Sequence, residues 1–128
     1  MTVARQSLGR RGEAIVSRAL EREGARIVGR NVRVAAVRGE LDLIALDRGT
    51  LVFVEVKTLS ATAVAGPERP ALAVGRRKQL KIRSLARAWL AEQRPALPRF
   101  GAIRFDVVGL RIDAAGEVID WDHIRSAF

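Results

Sequence analysis

The chain has 128 residues, with 23 Lys+Arg against 14 Asp+Glu (net charge +9) and 48% hydrophobic residues. That length and apolar content predict one domain with its own core and exclude a disordered tail. The lack of cysteine and the single histidine, His123, exclude disulfides, thiolate zinc sites, cysteine nucleophiles and a two-histidine metal site within one chain.

The first element in chain order is a helix over Leu8 to Glu23. Leu8, Ile15, Val16, Ala19 and Leu20 recur at helical spacing, with Ser7 as N-cap and Gly24 as C-cap. Three strand-like runs follow: Ala25 to Val34, Glu40 to Leu46 and Leu51 to Lys57. The last two are joined by the hairpin turn Asp47-Arg48-Gly49-Thr50. Leu59 to Val74, with Pro67 and Pro70, reads as a mobile loop. A second helix spans Gly75 to Gln93 and stops before Pro95; its apolar stripe is Ile82, Leu85, Ala86 and Trp89. Phe100 to Leu110 is a further strand, and Arg111 to Trp121 a terminal hairpin turning at Ala115-Gly116. The order α-β-β-β-α-β predicts a mixed sheet covered by helices, with its doubly apolar strands central.

No apolar run approaches the roughly 20 residues of a membrane span. Met1 to Leu8 lacks the apolar core of a signal peptide, so the expected compartment is the cytoplasm, with no membrane partner. A positive field of this size attracts polyanions, and nucleic acid is the commonest inside cells.

The hairpin around Arg48-Gly49 carries the chemistry. If it is symmetric, paired positions sum to 97, so Asp42 faces Glu55 and Glu40 faces Lys57. Opposed residues lie roughly 4.5–5.5 Å apart at Cβ, so the four charges form a compact square. Leu41, Leu43, Val54 and Val56 then line the other face, while Ile44, Leu46, Leu51 and Phe53 continue the charged face as apolar surface. Adjacent acids in an apolar setting repel. Either a divalent cation balances them, since magnesium takes one or two carboxylates plus water and phosphate, or Lys57 completes an ion-pair network. Glu40 is expected to pair with Lys57 or an arginine rather than to bind metal.

Asp42, twelve residues, then Glu55-Val56-Lys57 after a β run resembles the PD-(D/E)XK nuclease motif. The blocks Gly39-Glu40-Leu41-Asp42-Leu43-Ile44 and Val52-Phe53-Val54-Glu55-Val56-Lys57-Thr58 are more specific. With Gly9-Arg10-Arg11-Gly12-Glu13-Ala14, Phe105-Asp106-Val107-Val108 and the closing His123-Ile124-Arg125-Ser126-Ala127-Phe128, they resemble the YraN-like uncharacterised bacterial family, which is similar to archaeal Holliday junction resolvases. The resemblance implies a restriction-endonuclease-like three-layer α/β fold and a Mg²⁺- or Mn²⁺-dependent endonuclease acting on DNA, branched or otherwise structured. A non-catalytic nucleic-acid-binding module on the same fold is the alternative.

In that pattern Glu13 is the helix acid and a metal or water ligand, Asp42 and Glu55 with the Val56 carbonyl are metal ligands, and Lys57 is the catalytic lysine. Gln79 falls where the motif's auxiliary helix residue sits. Arg10, Arg11, Arg38, Arg76, Arg77, Lys78 and Lys81 are candidate phosphate contacts, with Arg30, Arg33, Arg83 and Arg87 as further basic positions. Resolvase-like relatives imply a homodimer. Asp106 and His123 read as structural, and Trp89 as core.

Overall fold

The computed structural model describes residues 3–62 and 69–128. Helix α1 spans Val3–Arg22. It is followed by β1 (Arg26–Val32), β2 (Leu41–Asp47), β3 (Thr50–Ser60), a 3₁₀ turn at Pro70–Ala73, α2 (Arg76–Glu92), β4 (Ala102–Ile112) and β5 (Val118–Ile124). The five strands form one mixed sheet in the order β1-β2-β3-β4-β5. Only β3 and β4 run parallel, as the α2 crossover between them requires; the other neighbours are antiparallel.

The apolar runs sort onto two faces. On one, Val16 and Leu20 of α1 pack with Leu43, Val52, Val54, Val108, Leu110 and Ile112. On the other, Ile82, Leu85, Ala86 and Trp89 of α2 pack with Ile44, Leu51, Phe53 and Val107. Phe53 stacks on Phe105, and its ring meets the Trp89 edge at 5.9 Å and 83°. The result is an α/β/α three-layer domain of the restriction-endonuclease-like kind, with β3 at the centre and its residues 51–55 buried.

The β2–β3 register is the expected one: Leu43 pairs with Val54 and Asp47 with Thr50. Arg48 and Gly49 both have positive φ (48° and 83°), the type I′ turn whose twist suits two antiparallel strands. Helix α1 ends as expected at Gly24 (φ 101°), where Ala25 N–H donates to Leu20 O in a Schellman closure.

Several boundaries differ, and β5 carries the terminal hairpin on to Ile124. Helix α1 begins at Val3, so Ser7 lies inside it; Ala4, Arg5 and Gln6 are good helix formers, and no proline intervenes to stop the helix. Strand β3 continues to Ser60, because parallel pairing with β4 carries it past the polar residues that end its apolar run. The expected loop over 59–74 therefore shrinks. Of what remains, 63–68 lie outside the described residues and 70–73 form the 3₁₀ turn. Leu41 also packs on the α2 side rather than with Leu43, because strict alternation in β2 stops at Asp42. Among the described residues no helix is long and apolar enough to cross a membrane.

The 3₁₀ turn crosses β4 at Gly109, where a Cβ would meet the Ala71 backbone nitrogen well inside contact distance. Backbone on both sides leaves no room to yield. Gly109→Ala is therefore expected to cost about 1–3 kcal/mol, the usual range for overpacking. Urea unfolding checks this; an unchanged midpoint would mean that the turn does not hold its place on the strand.

Candidate active-site cleft

The charged residues gather where β2 parts from β3. Below Asp42 the two strands form a regular ladder; at Asp42 the ladder ends, and Val56 N–H donates to Asp42 Oδ2 at 2.9 Å. A side chain has replaced the strand carbonyl, which leaves the Asp42 carboxylate in the gap between strands, within reach of both sheet faces. On the α1 side its neighbour is Glu13. On the α2 side it hydrogen-bonds the Glu55 carboxyl.

These acids line an open cleft of about 1400 Å³. Its wall also includes Arg5, Arg10, Arg33, Glu40, Val56, Lys57, Thr58 and Lys78. Glu13 and Glu55 are each only 7% exposed. Burial, hydrogen bonding to Asp42 and the Asp42 charge push the Glu55 carboxyl up to about 9, against an opposing pull from Lys78, whose Nζ lies 3.4 Å from Glu55 Oε2. Burial and the Asp42 charge raise Glu13 to about 7. Asn31 Nδ2, donating at 2.7 Å, and Arg10 oppose that rise. Asn31 can aim its amide there because it adopts φ 49°, a conformation asparagine tolerates better than most residues.

The charged square is thus rearranged. Asp42 and Glu55 do meet. Glu40 does not pair with Lys57: its two oxygens bind Arg10 (3.2 Å) and Arg33 (2.9 Å). The strands have separated by that point, so cross-strand geometry no longer sets its partner. Lys57 is half-buried in the cleft wall and makes no ion pair among the described residues.

On α2 the residue that reaches the acids is Lys78. Gln79 turns away and donates to Val74 O at 3.1 Å. Of the seven cations expected to meet phosphate, Arg10 and Lys78 line the cleft. Arg11 donates to Gly116 O in the β4–β5 turn, Lys81 lies against Gly39, and Arg38, Arg76 and Arg77 are exposed beyond the wall. Arg5 and Asn31 were not singled out by pattern. Asn31 had no legible signal, since its role depends on a left-handed residue at the end of a strand.

Asp106 and His123 lie elsewhere. Asp106 is fully buried and accepts from Arg104 (2.8 and 3.1 Å), His123 Nε2 (2.8 Å) and Ser126 N–H (3.1 Å). Burial alone would raise its pKa, but these donors outweigh burial and hold the carboxyl below its usual range. The network clasps the end of the chain to β4.

The Asp42–Glu55 pair suits a hard divalent cation. Two carboxylates in contact retain a proton that such an ion would replace, and the remaining positions fall to carbonyl, water and phosphate oxygens. Among the described residues no three Asp, Glu or His side chains converge closely enough to hold an ion, so Glu13, engaged by Asn31, stands outside that pair.

With its three layers around a five-stranded mixed sheet, the domain is of the nuclease-like α/β fold class. The sequence comparisons then give its family. Residues 12–110 match the model of the uncharacterised protein family UPF0102. A UPF0102 protein of Frankia alni is 45% identical over 125 residues, covering 98% of this chain and 97% of its own. One of Syntrophotalea carbinolica is 41% identical over 128 residues (100% and 96%), and one of Dictyoglomus thermophilum 32% over 123 residues (96% and 98%). The chain belongs to the UPF0102 family, the YraN-like family of its sequence blocks.

The raised carboxyls give a signed pH dependence. A carboxyl whose pKa is higher folded than unfolded binds more protons in the folded state, so stability falls as pH rises between the two values. Without divalent cations, Tm is expected to fall from pH 5 to pH 9. Glu13 contributes to about 7 and Glu55 to about 9. Glu55→Gln should flatten the profile above pH 7, and Mg²⁺ should stabilise wild type more at pH 8 than at pH 6. Melting curves in EDTA and in Mg²⁺ measure both; equal slopes in wild type and Glu55→Gln would refute the proton-sharing pair.

Proposed function

We propose that this protein is a Mg²⁺- or Mn²⁺-dependent endonuclease that hydrolyses phosphodiester bonds of DNA, with branched or structured DNA as the substrate suggested by the resolvase-like sequence blocks. The observation that carries this reading is the contact between Asp42 and Glu55 on the wall of an open cleft that also presents Arg10, Arg33, Lys57 and Lys78.

Asp42, Glu55 and the Val56 carbonyl would hold the ion, which would supply an activated water and neutralise charge on the phosphate. Lys57, free of any ion pair among the described residues, orients the attacking water and stabilises charge on the phosphorus oxygens as the bond to the leaving sugar oxygen breaks. Glu13 orders water on the α1 side. Val56 N–H fixes the rotamer of Asp42, so the site is built before substrate arrives.

The helix entrance adds support. Helix α2 opens Arg76-Arg77-Lys78 with no acid in its first turn, although the helix dipole disfavours cations there by about 0.3–1 kcal/mol each. A rule broken beside a cleft is understandable if a polyanion docks there.

Purified protein is incubated with linear, single-stranded and four-way-junction DNA in Mg²⁺, Mn²⁺ or EDTA. Metal-dependent cleavage is expected, with losses of 10²-fold or more in Asp42→Ala and Lys57→Ala, the scale at which positioned electrostatic groups act. Cleavage that persists in both variants would assign the activity to a contaminant. DNA binding without cleavage under any metal would leave the non-catalytic module.

A further inference from the structure

Glu40 sits just before β2, and Arg33 just after β1. Arg10 comes from α1. Two cations from separate elements therefore converge on one carboxylate, Arg10 Nη1 on Oε1 at 3.2 Å and Arg33 Nη2 on Oε2 at 2.9 Å. Both guanidinium side chains remain largely exposed, 56% and 74%, and all three residues line the acid cleft. The Glu40 side chain is 22% exposed, and these two arginines engage both of its oxygens.

A backbone phosphodiester has the same recognition chemistry as this carboxylate: one negative charge shared by two oxygens, each able to accept from guanidinium N–H. We infer that Glu40 is an internal substitute for a backbone phosphate, occupying Arg10 and Arg33 in the free protein and giving them up when a nucleic-acid strand enters. The two arginines keep most of their exposure within these pairs, where water screens the attraction, so the exchange is accessible. Its consequence is selectivity. On a chain of net charge +9, Glu40 lowers affinity for polyanions in general, while a strand that seats a phosphate against both arginines overcomes it. Glu40 is thus a specificity-determining residue that acts through its two partners.

The inference rests on nucleic acid binding in the cleft but not on cleavage, so it is tested in EDTA. Fluorescence anisotropy of a short labelled duplex is measured against salt for wild type, Glu40→Gln, Glu40→Asp, Arg10→Gln/Arg33→Gln and the triple variant Glu40→Gln/Arg10→Gln/Arg33→Gln, with folding followed by thermal melts. Glu40→Gln should bind about tenfold more tightly at low salt and steepen the salt dependence by roughly one in log–log slope, because Arg33 is freed outright while Arg10 keeps only its 3.8 Å approach to Glu13, and the freed charge releases additional counterions. The gain should vanish in the triple variant, which should match the double. Glu40→Asp keeps the charge but shortens the reach, so it should show part of the gain.

An unchanged or weaker Glu40→Gln overturns the inference. So does a gain that survives in the triple variant, since that would reflect general loss of negative charge. If Glu40→Gln fails to fold, Glu40→Asp carries the decision, because a charge-only effect predicts no gain there. Wild type that binds no nucleic acid at any salt overturns the cleft reading itself, whereas wild-type binding that Glu40 does not modulate overturns only this inference.

Discussion

The site depends on one hydrogen bond, from Val56 N–H to Asp42 Oδ2. A strand amide next to a parting partner would otherwise lack its carbonyl, and a buried unpaired N–H is costly. Asp42 satisfies it. In doing so it fixes its own carboxylate at the fork, where α1 delivers Glu13 and β3 delivers Glu55. Two long-range constraints keep the fork in place. Helix α1 lies close over β3, where Gly12 has no room for a side chain against Thr58, whose buried Oγ1 has no hydrogen-bond partner among the described residues. Strand β3 is held on its other edge by eleven residue pairings with β4.

Much of this was legible in the sequence, for definite reasons. The β2–β3 register followed from the turn, because Arg48-Gly49 permits the doubly left-handed geometry that fixes a two-residue hairpin. The α2 stripe identified the helix face buried on the sheet, and all four of its residues are buried. Family membership followed from blocks spread over most of the chain. The sheet order needed the pairing of β3 with β4, which no local pattern encodes.

The site was legible less fully, and its errors on the strands share one cause. Alternation places side chains correctly only while strands remain paired. It therefore brought Asp42 and Glu55 together but misplaced Leu41 and set Glu40 opposite Lys57, whereas the other expected partner, arginine, is the one found, since both residues lie beyond the fork. On α2, spacing could not distinguish Lys78 from Gln79. Their neighbouring positions both open toward the sheet, and only the path of the chain through Val74 decides that Gln79 caps a carbonyl while Lys78 reaches an acid.

The type I′ hairpin also bears on how the chain reaches its fold. Strands β2 and β3 are joined by two residues, whereas β3 and β4 meet across 52 positions (Thr50 with Ala102, 102 − 50 = 52). Closing the local hairpin costs far less loop entropy than closing the parallel pair, which favours its forming first. Asp42 and Glu55 are therefore neighbours in a nascent hairpin, before helices or a fifth strand shield them. In that hairpin water screens their repulsion, which grows only as the helices cover them, so the proton or ion that neutralises the pair is needed when the layers close rather than when the strands first meet.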